Sequence, residues 1–294
     1  MVARTRRSGH SACVRETSEF TTSDGVAIRY ACFGSGRPLY LCHGGPLADY
    51  GGLAGKIAPL RDRFTLVSHD YRGSGASATA PESTYDFEHR ADDLDELRMH
   101  LGHERVDVLA HSLGVPVALY VALRHPDAVG RMVLAGGTPI SPSKMPWTMT
   151  RTLGPRRLVE VQARSLMYLV RWSWRPPSPG RDMALIQLSE ATGRSDPPFR
   201  NAREQPVHDN DNAKQLQRAF MNLDVTDRLD EISQRVLVLY GERDAIAVAA
   251  SSKFEALPRV EFAVLPRIGH DVFADAQQQT LERVTAFLNA PDED

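Results

Sequence analysis

Apolar positions in this chain come in short runs that stop at polar residues or glycine, separated by longer stretches with helical spacing. GVAIRYACFG, from residue 25, mixes β-branched and aromatic residues; GSGRP then turns the chain into LYLCH at 39–43. The same signal predicts strands at FTLVSHD (64–70), RVDVLAHS (105–112), GRMVLAGG (130–137), RVLVLYG (235–241) and VEFAVLP (260–266). LADYGGLAGKIAPL reads as a short helix bounded by glycines. In DFEHRADDLDELRMHL (86–101), Leu94, Leu97 and Leu101 are three and four apart, giving an otherwise charged helix one apolar stripe. Gly102 stops that helix at the favoured capping position. LGVPVALYVALRHP forms another helix, and an amphipathic helix closes the chain from about Asp275 to Leu288. This rhythm predicts an α/β fold, a mostly parallel central sheet with helices on both faces.

The rhythm lapses after Thr138. PISPSKMPWTM, the tryptophan-rich WSWRPPSPG and the polar DNDNAKQLQ hold helical pieces without a convincing strand. An inserted helical cap over the sheet edge is the expected form of this segment. The expected organisation is a loose N-terminal tail over 1–19, a core over 20–138, the cap over 139–228 and a second part of the core over 229–294.

Composition narrows the partners. A chain of 294 residues builds a large core without staples. With 35 basic and 37 acidic side chains the net charge is -2, so no basic field is available for nucleic acid or an anionic lipid surface. The 3 cysteines, Cys13, Cys32 and Cys42, are too few for a disulfide scaffold and lack metal-ligand spacing. The first residues, MVARTRRSGHSA, lack the apolar run of a secretory signal. No apolar stretch reaches the ~18 residues of a membrane span. The expectation is a cytoplasmic protein that acts on a small molecule or short peptide.

The strongest chemical signal is Ala110-His111-Ser112-Leu113-Gly114, between an apolar strand and a helix. Small residues two before and two after the serine allow a tight turn that presents Oγ and aims a helix N-terminus at developing negative charge. Asp244, in the Gly-Glu-Arg-Asp turn after one strand, and His270, in Arg-Ile-Gly-His after the next, follow in the order acid then histidine. Ser112 is thus the expected nucleophile, His270 its general base and Asp244 the group that orients the imidazole, with Asp271 and Glu242 as alternative acids. His43-Gly44-Gly45-Pro46 follows a strand, and the amides of Gly44 and Leu113 are the expected oxyanion hole, with Gly45 as the alternative to Gly44. Asp70-Tyr71-Arg72-Gly73-Ser74-Gly75 lacks the lysine of a phosphate loop; Asp70 and Arg72 are expected to bracket the oxyanion loop through hydrogen bonds. No motif calls for a metal or cofactor.

Together HGGP, DYRGSG, AHSLG, GERD and IGH resemble an α/β-hydrolase with a lid, and most resemble the proline iminopeptidase family and its esterase-like relatives. The resemblance implies removal of an N-terminal aminoacyl group without metal or cofactor. It implies that Glu242 and a cap acid, Glu204, Asp209 or Asp211, hold the substrate ammonium. The chain departs from the peptidases at its AHSLG elbow, at Tyr71 and at Leu47, which moves the expectation toward ester, thioester or lactone hydrolysis or acyl transfer. Met145, Trp147, Met167, Tyr168, Trp172 and Trp174 are candidate walls of an acyl pocket. Epoxide hydrolases and dehalogenases of this fold use an aspartate where Ser112 stands. A receptor that binds in the same pocket without turnover is the remaining class.

Overall fold

The central apolar runs become strands because both faces of the sheet they form are covered, whereas the run at 260–265 lies at an edge with Phe262 and Val264 exposed. In the computed structural model, which describes residues 13–45, 50–144 and 210–291, the strands are β1 (Cys13–Thr21), β2 (Ala27–Gly34), β3 (Arg37–Cys42), β4 (Phe64–His69), β5 (Val106–His111), β6 (Val129–Ala135), β7 (Val236–Gly241) and β8 (Val260–Leu265). They form one 8-stranded sheet in the order β1-β2-β4-β3-β5-β6-β7-β8. β2 pairs antiparallel with β1 and β4, and the remaining pairs are parallel. Along β5, Val108 and Ala110 enter one buried layer and Leu109 the other, so a two-sided strand reads as continuously apolar.

The described helices are α1 (Tyr50–Lys56), α2 (Phe87–His100), α3 (Gly114–Arg124), α4 (Asn210–Asn222), α5 (Ala245–Ala250), α6 (Val272–Asp275) and α7 (Gln277–Asn289). Leu94 and Leu97 of α2 and Val117 and Val121 of α3 pack in one layer; Leu53 of α1 and Leu281, Val284 and Phe287 of α7 pack in the other. The stripe predicted for α2 is thus buried at Leu94 and Leu97, with Leu101 as the C-terminal cap. Gly102 takes φ +72 there, the left-handed conformation that ends a helix. The closing helix is interrupted at Ala276, where α6 gives way to α7.

The N-terminal expectation needs correction. The tail assigned to 1–19 is strand from Cys13 onward, with Phe20 opposite Ile28 and Thr17 opposite Ala31 in the β1–β2 ladder. The ladder holds CVRETSEFT in place even though few of its residues are apolar, because an edge strand needs backbone pairing more than two covered faces.

Of the cap region, residues 145–209 lie outside the described residues. Its two ends are tied together: Ser141 donates its amide to Leu223 O at 2.8 Å and Val225 donates to Pro139 O at 3.0 Å. The chain therefore leaves and re-enters the core at one place, beyond the end of β6.

Candidate active site

A parallel sheet gathers the ends of its strands along one edge, and here those ends carry the polar residues. Ser112 follows β5 directly and adopts φ +55, a left-handed conformation rare for a residue with a side chain. Its amide is held by Ala135 O at 2.9 Å, and its carbonyl accepts from Val115 N at 3.0 Å at the start of α3. This turn is fixed at both ends. Ala110, the small residue two before the serine, sits in β5 between Cys42 and Leu134, fully buried.

Two interlocked loops bring the acid and the base to the serine. Gly241 ends β7, and a Cβ there would stand 2.2 Å from Gly269 O, so only glycine lets the loops approach this closely. Arg243 N donates to Ile268 O at 2.8 Å, and the Glu242 carboxylate accepts from Arg267 N at 2.8 Å. Arg267 itself has φ +64, so Glu242 holds a strained turn three residues before His270. Across this junction His270 Nδ1 lies 2.7 Å from Asp244 Oδ2, and His270 Nε2 lies 2.9 Å from Ser112 Oγ. Asp244 is buried, and its other oxygen accepts from the amides of Ile246 at 3.2 Å and Ala247 at 3.1 Å, capping α5.

With Asp244 acting as hydrogen-bond acceptor, the proton of a neutral His270 sits on Nδ1 and Nε2 faces Ser112 as a base. Asp271, an alternative acid in the sequence, pairs with Lys56 and caps α6 through Ala274 N at 3.1 Å. Asp244 is the carboxylate that meets the histidine.

Gly44 lies against the serine: a Cβ there would be 2.7 Å from Ser112 Cβ. Leu113 caps α3, which places its amide at that helix's N-terminus. Among the described residues no hydrogen bond occupies the amide of Gly44 or Leu113, and both adjoin Ser112. Gly45, the alternative, takes φ +85 in the next position.

One expectation is corrected here. Asp70 and Arg72 were expected to bracket the oxyanion loop. Instead Asp70 folds its own turn, accepting from Ala76 N at 2.8 Å, while Arg72 donates through Nε to Asp93 at 2.8 Å and through Nη1 to Asp24 at 2.9 Å. The guanidinium is buried, and Asp93 on α2 and Asp24 before β2 supply the charges it needs. The bond to the oxyanion loop comes from the residue between them, with Tyr71 Oη donating to His43 O at 3.2 Å.

Glu242 carried a separate expectation, that of a substrate ammonium site. Its carboxylate is exposed and engaged with the Arg267 amide, so its described contact braces the His270 loop. Pro46, Met145, Trp147, Met167, Tyr168, Trp172, Trp174, Glu204 and Asp209 lie outside the described residues, as does the side chain of Asp211.

His111 was not singled out from the sequence. Its ring packs against His270 and Phe273, with centroids 5.4 and 5.7 Å away, and its Nε2 lies 3.4 Å from His270 O. Burial holds its pKa down to about 4, so it stays neutral beside the His270 imidazole. A histidine before a serine gives no sequence signal for such packing. Among the described residues no cluster of His, Cys, Asp and Glu could hold a metal, and no helix is long and apolar enough to cross a membrane.

The family model for the alpha/beta hydrolase fold matches residues 37–277, from β3 into α7. A non-heme haloperoxidase of Rhodococcus erythropolis is 29% identical over 264 residues, covering 85% of this chain and 91% of that protein. A pimeloyl-[acyl-carrier protein] methyl ester esterase of Nitrosomonas europaea is 28% identical over 266 residues, covering 86% of this chain and 96% of that protein. The solved structure of an esterase from Exiguobacterium antarcticum shares the fold with a TM-score of 0.69 at 20% identity, covering 94% of this chain and 100% of that one. The chain belongs to the alpha/beta hydrolase fold family and is an enzyme of the serine-hydrolase type.

Proposed function

We propose that the protein hydrolyses small carboxylic esters through an acyl-Ser112 intermediate. The observation that carries this reading is the continuous relay from Ser112 Oγ through His270 to Asp244, at 2.9 and 2.7 Å. His270 Nε2 takes the Ser112 proton as Oγ attacks the ester carbonyl. The carbonyl electrons move to oxygen, where the amides of Gly44 and Leu113 stabilise the charge. Collapse of this intermediate expels the alkoxide, which receives the proton from His270 and leaves as an alcohol. Water then attacks the acyl carbonyl while His270 takes its proton, and Ser112 regains a proton as the carboxylic acid departs. Asp244 holds the imidazole in the required tautomer through both halves.

The relay serves amides and esters alike, so the preference for esters rests on other observations. Glu242, the residue that would hold a substrate ammonium, is engaged with the Arg267 backbone. A relative covered over 96% of its length is named a methyl ester esterase. The competing reading, proline iminopeptidase-like removal of an N-terminal aminoacyl group, keeps the same relay and requires a free substrate amine. Steady-state hydrolysis of a short acyl ester beside proline and alanine arylamides, each with free and acetylated amines, separates the two. Ser112-dependent cleavage of the ester, indifferent to a free amine, is expected. Cleavage confined to the free-amine arylamides would overturn the ester assignment.

A further inference from the structure

The oxyanion loop is gripped from behind by buried rings. Tyr71 is 1% exposed, and its hydroxyl donates to His43 O at 3.2 Å. That oxygen belongs to the same peptide group as the Gly44 N–H, and the group polarises as a unit, so a donor at its oxygen strengthens its N–H as a donor. The rings of Tyr71 and His43 lie 4.2 Å apart between centroids, and the Arg90 guanidinium carbon lies 4.7 Å from the Tyr71 centroid. His43 Nδ1 in turn lies 3.3 Å from Gly44 O, on the peptide that carries the Gly45 N–H. Burial raises the Tyr71 pKa well above the usual phenol value and holds His43 down to about 3. Tyr71 therefore remains a donor, and His43 remains neutral, across the working pH range.

We propose that Tyr71 is a positioning residue for the oxyanion hole: its hydroxyl orients the His43–Gly44 peptide and strengthens the Gly44 N–H toward the developing oxyanion. This role rests on the acyl-Ser112 reading. Its benefit appears where charge builds on the substrate oxygen, so it acts on the chemical step more than on ground-state binding. Tyr71 contacts the loop and not the substrate.

The test is Tyr71→Phe, which removes only the hydroxyl, with Ser112→Ala measured alongside. Loss of a complete oxyanion donor costs about 10²–10³ in kcat, so loss of its polarising partner is expected to cost about tenfold, with KM within about twofold. Affinity for an arylboronate, to which Ser112 Oγ adds while its proton passes to His270, is expected to fall by a similar factor. The carbonyl stretch of the acyl-enzyme formed from a ¹³C-labelled activated ester at acidic pH is expected to move to higher frequency. Wild-type kcat, boronate affinity and carbonyl frequency in Tyr71→Phe would overturn the role, as would a loss explained entirely by a smaller folded fraction.

Should Tyr71→Phe fail to fold, 3-fluorotyrosine at position 71 alone keeps the shape and makes a stronger donor. A lower carbonyl frequency then supports the proposal, and an unchanged one overturns it. Ester hydrolysis surviving in Ser112→Ala would remove the acyl-serine reading and this role with it. A silent Ser112→Ala beside an unaffected Tyr71→Phe would remove this role alone.

Discussion

Glu242 Oε2 accepts the Arg267 amide at 2.8 Å, tying the loop that carries Asp244 to the loop that carries His270. Since Arg267 is held at φ +64, the bond supports a backbone conformation that an L-residue adopts at a cost. Glu242→Ala is expected to lower kcat about 3- to 10-fold with little change in KM, because a misplaced base weakens the chemical step. Glu242→Gln, which keeps a carbonyl acceptor, is expected to retain most of the activity. Steady-state kinetics on an ester distinguish this brace from a substrate contact, for which KM would rise in both variants.

Asp244 has two duties on separate oxygens, capping α5 and orienting His270. Asn at this position keeps the capping oxygen but presents an N–H to His270 Nδ1, which moves the imidazole proton to the wrong nitrogen. Asp244→Asn is expected to lose about 10⁴ in kcat while its melting temperature stays near the wild-type value. A kcat within tenfold of wild type would show that another carboxylate orients the histidine.

Much of this site was legible in the sequence. The strand ends at Ser112, Asp244 and His270 could be located because each apolar run stops abruptly at a polar or glycine-containing turn. The Gly102 cap and the Leu94–Leu97 stripe follow from local spacing. Other features depend on contacts that spacing does not encode. β1 was hidden because CVRETSEFT pairs through its backbone at the sheet edge. The partners of Arg72, Asp24 and Asp93, are 48 and 21 positions away. The brace at Glu242 depends on a positive φ at Arg267, which no pattern of residue types announces.

Arg72 is a structural ion, and its loss is expected to appear in stability. Arg72→Ala leaves Asp93 buried without its guanidinium, and removal of one partner from such a pair costs about 3–5 kcal/mol. Urea unfolding of the variant is expected to show that loss, with kcat per folded molecule changing much less. A variant as stable as wild type but inactive would restore a direct role at the site.

Three buried histidines make stability fall in acid. Burial holds His43 down to about 3 and His69 and His111 down to about 4. In the unfolded chain the same rings titrate near 6.5, so below that pH the unfolded state takes up protons that the folded state refuses. The stabilisation is present above about pH 6.5 and is lost as pH falls from there toward 4, with a slope approaching ~4 kcal/mol per pH unit once the unfolded rings are protonated. Urea midpoints at about pH 7.5 and about pH 5 are expected to differ accordingly, and His69→Phe to flatten the dependence by about a third. Equal midpoints at the two pH values would contradict this account.

The central claim is that Ser112, 2.9 Å from His270 Nε2, becomes acylated during turnover. Rapid mixing with a p-nitrophenyl ester of a short acid, followed by acid quench and peptide mass analysis, tests it directly. The account predicts that the acyl mass appears on the peptide containing Ser112, that His270→Ala forms it far more slowly, and that Ser112→Ala forms none and does not hydrolyse the ester. Undiminished hydrolysis by Ser112→Ala, or an acyl group carried on a different residue, would contradict it.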